Sequence, residues 1–485
     1  MKKNSTVEGT IYIVISSLIF MISGYGINVW LGRVLGPASY GVYGIVISLM
    51  ATINLIQTVG LPHAISKYVS EDDERSDAIL KSGLVLQIFS TIVICILYFV
   101  FAYPASVLLN DVSLSKYIRL SAFIFPAYGI YALYSGFYNG MRNFKKQALV
   151  NIIYSVVKAI LIVALAYYFH LTGVIVGFII APIVTLFTGL YLPKNFNVRF
   201  PYKKLILFSL PLIGLAFFSN LQQTIDLFFI KSLLNSDISS GFYTANQNIA
   251  RIQYLVFGAL ATVLFPIISK NQSDKETDKS KLLISQTFKI LLILLSIGTL
   301  ILSTTSKQIL ELLYSKSYVS AYESLSILII GFAFLSVFAV FANILSAMGN
   351  PAKALYLSIL GVVLSSVLCF SLIPVFGING AAISTTISSA VLMLSSIYFV
   401  FKEFKISVPI YSVSKISIAA LLTYAVSVFI HFPVLLTPLF YIILFSIYFL
   451  ILVIFKEITP NDLVQLQLKV PVLNKFRRVD VKYEA

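Results

Sequence analysis

The feature that most constrains this chain is a series of apolar runs, each close in length to a membrane-spanning helix. About 20 apolar residues cross the hydrocarbon core of a bilayer, and such a segment satisfies its backbone as a helix. Only 11% of the 485 residues are charged, against roughly 25% in soluble domains. We therefore predict an all-α integral membrane protein of about 14 transmembrane helices. The predicted helices lie near 10–31, 40–66, 82–103, 117–139, 148–168, 171–193, 205–233, 241–268, 283–303, 322–347, 354–375, 379–400, 411–430 and 434–455.

The distribution of Lys and Arg predicts how the chain is oriented in the membrane. Fourteen crossings put both termini on one side, and 26 of the 35 basic residues fall on that side, with six in the opposite loops. Because cytoplasmic loops are enriched in Lys and Arg, this bias predicts a multi-pass protein of the cell membrane with both termini cytoplasmic. The net charge of +16 then reflects topology, and no nucleic-acid partner is expected.

The chain also repeats itself at an offset of about 200 residues. The sequence G-V-Y begins at Gly41 and G-F-Y begins at Gly241, while Gly173 and Gly380 each precede an apolar run. Six helices per repeat give both halves the same orientation, so we expect two parallel six-helix lobes around a central cavity. The predicted domains are an N-terminal lobe (1–200), a C-terminal lobe (201–405), and two additional helices with a basic cytoplasmic tail (406–485).

Residues that could support catalysis or metal binding are scattered. Cys95 and Cys369 lie inside apolar runs, and His63, His170 and His431 have no ligand spacing. No paired carboxylates occur within the predicted helices, and no glycine-rich phosphate loop is present. We therefore predict that the protein is not an enzyme and needs no cofactor, metal or disulfide.

Three short motifs resemble those of a known transporter family. The sequence L-G-R-V-L-G-P-A-S-Y-G runs from Leu31 to Gly41, with G-M-R-N-F from Gly140 and M-G-N-P from Met348. This pattern resembles the Wzx-like polysaccharide transporters, oligosaccharide flippases of the multidrug/oligosaccharidyl-lipid/polysaccharide (MOP) exporter superfamily. The resemblance implies a fold like that of the multidrug and toxin extrusion (MATE) branch. It also implies translocation of a polyprenyl diphosphate-linked oligosaccharide across the cytoplasmic membrane by alternating access.

The alternative is a cation-coupled small-molecule efflux antiporter of the same superfamily. Such an exporter would favour acids in its N-terminal lobe, where no acid falls within a predicted helix and Lys158 occurs instead. The partners implied by the flippase interpretation are the lipid-linked oligosaccharide, membrane lipid, H⁺ or Na⁺ as a coupling ion, and glycosyltransferases or a polymerase of the same pathway. The sugar and the lipid carrier stay open.

The first motif has a mechanical and a functional interpretation. Gly36 and Pro37 break the first helix, and Gly41 lets the second begin close by. In the mechanical interpretation Arg33 extends its side chain to the membrane surface. In the functional interpretation the same residues form an outer gate.

A buried charged layer is the candidate for substrate binding. Asp226 and Arg251 reach similar depths on two sequential antiparallel helices, so they form either a structural salt bridge or a binding or gating site. Lys158 near the membrane centre of the other lobe would help to bind a diphosphate. The remaining candidates are polar residues that share a helix face with these charges or with each other: Gln223, Gln247, Tyr243, Asn54 and Gln57.

Overall fold

The structure, a computed structural model, describes residues 6–191, 200–274, 276–429 and 437–457, and these residues form helices joined by short turns. The predicted all-α class is confirmed. Most of the predicted basic tail, residues 192–199 and His431 lie outside the described residues. The helices are α1 (Thr6–Glu71), α2 (Ser76–Leu108), α3 (Leu114–Ser121), α4 (Ile124–Gly140), α5 (Phe144–Gly189), α6 (Tyr202–Leu221), α7 (Ile225–Leu234), α8 (Asp237–Ser273), α9 (Thr277–Thr304), α10 (Ser306–Leu313), α11 (Tyr322–Ala347), α12 (Pro351–Phe404), α13 (Ile410–Phe429) and α14 (Thr437–Ile454).

The number of membrane crossings agrees with the prediction. Within the described residues, 11 helices are long and apolar enough to span a bilayer, and α14 is a shorter apolar helix. Helices α1 and α5 each bend at an internal non-helical residue and are long enough for two crossings. Counting both crossings of α1 and α5 gives the expected total of about 14.

The two ends of the helical body differ in charge, and we name them accordingly. The basic end is where α2, α5 and α9 begin, and it carries Arg75, Lys145 and Lys279. The far end contains Asp111 and Asp237, next to the ends of α2 and α7.

The bends in α5 and α12 repeat the same backbone conformation. His170 has φ 48° and ψ −132°, and Gly377 has φ 58° and ψ −136°. A Cβ at Gly173 would meet the carbonyl oxygen of Leu165, and one at Gly380 would meet that of Leu372. Both pairs are separated by 207 positions. The internal repeat seen in the sequence therefore extends to the main chain.

His170 should be strained, because this region of φ and ψ is essentially reserved for glycine. We expect His170→Gly to stabilise the protein by about 1 kcal/mol, after part of the strain relief is offset by the entropy of the new glycine. The imidazole is exposed, so little packing is lost. The measurement is thermal unfolding of the purified protein in detergent.

The matched control for this prediction is Gly377→Ala, which introduces a side chain at the equivalent bend of α12. It should lower the unfolding temperature, since the backbone there has a positive φ. An unfolding temperature that falls for His170→Gly would contradict the strain assigned to α5.

The seventh predicted helix, 205–233, is not continuous. It divides into α6 and α7, with turns at Gln222–Thr224. The prediction of one unbroken helix was therefore wrong, because it rested on an apolar run that contains no Gly or Pro near the break. This break positions the candidate site described below.

The hydrophobic core shows where the two halves of the chain meet. One cluster of buried side chains lies mostly in the N-terminal half, where it includes Ile65 and Tyr134, and extends to Leu205 at the start of α6. A larger cluster joins both halves at the far end, where the ring centroids of Tyr40 and Tyr314 are 5.7 Å apart. The halves are therefore packed together at the far end.

Candidate functional site

The carboxylate of Asp226 lies at the start of α7 and is fully buried. Its Oδ1 accepts hydrogen bonds from Gln247 Nε2 (2.7 Å) and from the backbone N–H of Leu227 (2.8 Å). Its Oδ2 accepts hydrogen bonds from the hydroxyls of Tyr243 (2.6 Å) and Thr385 (2.7 Å). Each oxygen thus has two donors, which is how a protein stabilises a charge out of contact with water.

The break between α6 and α7 exposes a backbone acceptor beside this carboxylate. The carbonyl oxygen of Gln223 accepts one hydrogen bond from Gln247 Nε2 and another from Arg251 Nη2, both at 3.1 Å. In a membrane a broken helix must satisfy its carbonyl groups from neighbouring helices. Four predicted residues therefore form one network with Asp226: Gln223, Tyr243, Gln247 and Arg251.

The salt bridge between Asp226 and Arg251, one of the two interpretations from the sequence, is absent from the described residues. No ion pair joins them, because Tyr243, Gln247 and Thr385 already occupy the carboxylate. Arg251 is partly buried, and its Nε has no hydrogen-bond partner within the described chain. The guanidinium therefore keeps donors for another acceptor.

Lys158 is a second cation inside the helical body, 5% exposed. Its Nζ lies 4.6 Å from the ring centroid of Phe20 and 5.4 Å from that of Tyr154. Such contacts stabilise a desolvated ammonium by about 2 kcal/mol, without neutralising its charge. Among the described ion pairs, none involves Lys158 or Arg251.

Two of the predicted candidates lie away from this network. Asn54 and Gln57 are buried within the N-terminal half, where the backbone carbonyl of Gln57 accepts a hydrogen bond from Gln87 Nε2 (3.4 Å). The side-chain amide of Gln57 and the Oδ1 of Asn54 have no hydrogen-bond partner within the described residues. The structure therefore does not bring these two residues together with Asp226.

At the far end the first motif joins the two halves. Arg33 Nε donates a hydrogen bond to the carbonyl oxygen of Leu313 (2.8 Å), and Nη2 donates to that of Leu312. Both carbonyls end α10, where a cation is favoured by the helix dipole. Arg33 therefore binds the other half of the chain as well as reaching the surface, and we call this contact region the far-end seam.

The glycines of the repeated motif meet face to face in the far-end seam. Gly36 (φ 70°) and Pro37 bend α1, and the second half of α1 then packs against the start of α8. A Cβ at Gly41 would overlap the carbonyl oxygen of Asp237, and one at Gly241 would overlap that of Pro37. The bend and the close backbone contact are thus parts of the same junction.

Sequence reasoning missed an ion network in the far-end seam. Lys231, only 2% exposed, pairs with Asp111 (2.7 Å) from the N-terminal half and with Asp237 (2.5 Å). Burial disfavours the charged form of Asp111, but hydrogen bonds from Lys231 and Ser113 outweigh it and hold the pKa of that carboxyl below its usual range. Lys231 lies two residues from the end of the predicted helix 205–233, and that position gave no sign of its burial.

The fold and the buried charged network together define a multi-pass α-helical membrane transporter. The sequence profile of the polysaccharide biosynthesis protein family matches residues 6–272, more than half of the chain. The chain therefore belongs to that family, within the MOP superfamily, and is a transporter and not an enzyme. A second profile, MatE, matches residues 211–371.

One relative supports this assignment at low identity, and two solved structures share the fold. A putative O-antigen transporter of Shigella flexneri is 24% identical over 386 residues, covering 74% of this chain and 88% of the relative. The lipid II flippase MurJ, in an inward closed conformation, superposes with a TM-score of 0.74 at 15% identity, over 95% of this chain and 100% of that protein. An inward-facing MATE family multidrug transporter gives a TM-score of 0.69 at 15% identity, over 83% and 98% of the two chains.

Proposed function

We propose that the protein is a flippase that moves a polyprenyl diphosphate-linked oligosaccharide across the cytoplasmic membrane. The matched family and the named O-antigen transporter supply the saccharide class. The bias of Lys and Arg supports a cytoplasmic position for the basic end and for both termini. Glycosyltransferases of the same pathway would make the cargo on that side.

The observation that carries the proposal is the pair of cations without carboxylate partners. Arg251 lies about 14 residues from the start of α8, and Lys158 about 14 residues from the start of α5, or about 21 Å along each helix. An unpaired cation in hydrocarbon is costly, so its presence favours an anionic ligand that completes the site. A diphosphate provides oxygens that accept the fork of guanidinium donors.

The far-end seam suggests how access would alternate between the two sides. Asn248 Nδ2, one turn from Arg251 along α8, donates a hydrogen bond to the hydroxyl of Tyr40 (2.9 Å) in the other half. Arg251 would then lie on the cytoplasmic side of the closed seam. In the proposed cycle, the lobes 1–200 and 201–405 rock about the site, and the residues Arg33, Gly36, Pro37 and Gly41 belong to the outer gate.

Asp226 is the proposed site for coupling to H⁺ or Na⁺. It is buried next to the break between α6 and α7, on the same network as Arg251. A proton would displace one of its four donors, whereas Na⁺ would require the hydroxyls of Tyr243 and Thr385 to turn their oxygens toward the ion. Either event would loosen the network that holds the Gln223 carbonyl and would change how Arg251 binds.

The alternative is small-molecule efflux, which the MatE match over 211–371 favours. Against it, the buried charged residues in the described N-terminal half include Lys158 but no acid, so that half would repel a cationic drug. The alternative therefore predicts transport of a cationic dye, and the flippase proposal predicts transport of a diphosphate lipid.

The test uses the purified full-length protein in liposomes that contain a fluorescent polyprenyl diphosphate carrying one hexose. Dithionite added outside destroys only the fluorophores in the outer leaflet. The flippase should therefore make nearly all the fluorescence sensitive to dithionite, whereas protein-free liposomes should keep the inner-leaflet signal. Uptake of a cationic dye without movement of the lipid probe would overturn the proposal and support efflux.

A further inference from the structure

A pocket in the N-terminal half lies outside the charged network. Its volume is about 410 Å³, within the usual range of about 300–1,000 Å³ for small-molecule sites. It is enclosed by both halves of α1, by α4 and by the first two turns of α5. None of its lining residues is among those identified from the sequence except His63, which was noted only as lacking ligand partners.

One side of the pocket is a connected set of amide and hydroxyl groups. The Oδ1 of Asn151 accepts a hydrogen bond from the hydroxyl of Tyr131 (2.8 Å), and its NH₂ donates to no group among the described residues. Asn139 Nδ2 donates to Gln147 Oε1 (3.1 Å), and Asn139 Oδ1 accepts from the hydroxyl of Ser66 (2.9 Å). These groups can both donate and accept, as a sugar hydroxyl does.

Aromatic rings also line the pocket and lead to Lys158. Phe20, Tyr128 and Tyr131 line the pocket. The rings of Tyr128 and Tyr131 lie 5.4 Å and 4.7 Å from the ring of Tyr154, which packs against the Lys158 ammonium together with Phe20. A single layer of aromatic rings therefore separates the Lys158 ammonium from the pocket.

We propose that this pocket binds the first sugar residue of the cargo, an inference that rests on the proposed flippase function. The C–H face of a pyranose packs on an aromatic ring, while its hydroxyls exchange hydrogen bonds with side-chain amides. The sugar next to the diphosphate would lie between the amides of Asn139, Gln147 and Asn151 and the ring of Phe20. The diphosphate would extend toward Lys158.

The lining chemistry favours a neutral ligand over a charged one. The pocket is lined by Ser, Thr, Asn, Gln, Tyr and apolar residues, and by no Asp, Glu, Lys or Arg. The pocket offers no carboxylate to a cationic drug. A lipid tail would leave the amides without hydrogen-bond partners, which raises the free energy of the complex. His63 also lines the pocket, and its side chain is exposed.

The test is a binding measurement on the full-length protein in nanodiscs with two probes, a farnesyl diphosphate carrying one hexose and farnesyl diphosphate alone. Wild type should bind the hexose probe about tenfold more tightly, as expected for one or two good hydrogen bonds. Asn151→Ala should abolish that difference while leaving the affinity for farnesyl diphosphate unchanged. Tyr131→Phe, which keeps the ring, should reduce the difference in part.

The control is Asn379→Ala, which removes a carboxamide that bonds Glu323 (3.0 Å) at an exposed site. It should leave both affinities unchanged. If Asn151→Ala weakens both probes equally, or if wild type binds them equally, the sugar pocket is wrong while the flippase proposal stands. If wild type binds neither probe, the diphosphate site fails and the pocket assignment fails with it.

Discussion

Replacing Arg251 by alanine is expected to reduce flipping of the diphosphate lipid by about 10- to 100-fold. The guanidinium is the partly buried cation whose Nε has no partner in the described chain, and hydrogen bonds to charged groups contribute about 1.5–3 kcal/mol each. Arg251→Lys should recover only part of the activity, because an ammonium cannot reproduce two parallel contacts to one phosphate. The measurement is the initial rate of dithionite-sensitive fluorescence in liposomes.

The control for this effect is Arg75→Ala, since Arg75 is exposed at the basic end and its one ion pair among the described residues is with Asp72 (3.5 Å). It should flip at the wild-type rate. If Arg251→Ala lowers the yield and the unfolding temperature of the protein along with its activity, then Arg251 has a structural role. Normal flipping by a well-folded Arg251→Ala protein would remove the cation from the proposed mechanism.

Gly41→Val is expected to abolish transport by preventing closure of the far-end seam. The new side chain would overlap the carbonyl oxygen of Asp237, and forcing atoms into a packed contact costs about 1–3 kcal/mol or more. Separation of the two halves relieves the overlap, so the conformation with the seam open should become the major one. A transporter held in one state cannot complete its cycle.

The fluorescence of Trp30 can report whether the far-end seam is open in Gly41→Val. Trp30 is the only tryptophan in the sequence, and it packs near the seam on the same helix as Arg33. In Gly41→Val its emission should shift to longer wavelength and become accessible to an aqueous quencher. Gly258→Val is the control, because a Cβ at Gly258 would meet no atom within 4 Å. Unchanged Trp30 emission in a protein that has lost transport would contradict the gating role of Gly41.

Local pattern was sufficient to predict most of the membrane helices and to identify polar residues that lie close to Asp226. Apolar runs predict helices because a backbone that crosses lipid has no water to bind, so its N–H and C=O groups must bond to each other within a helix. Helix periodicity also predicted that Gln223 lies beside Asp226 and that Gln247 lies beside Arg251, since residues three or four apart share a helix face. The network in the structure contains all four.

The partners within that layer could not be predicted from helix faces alone. The hydroxyl of Thr385 comes from α12, 159 positions away along the chain, and it binds the carboxylate that one of the two interpretations paired with Arg251. The pair of Lys231 and Asp111 likewise joins residues 120 positions apart. Contacts of this kind depend on how distant helices pack, and a single sequence carries no signal for them.

The matching bends at His170 and Gly377 suggest what persisted while the two halves diverged. His170 carries an imidazole and Gly377 carries no side chain, yet the dihedral angles of the main chain agree to within about 10° in φ and less in ψ. If an ancestral gene encoding six helices was duplicated, selection has preserved the direction in which the chain leaves this bend. It has not preserved the glycine that adopts this backbone conformation without strain. A comparison of halves by backbone angles would then reveal common ancestry after the amino acids have ceased to do so.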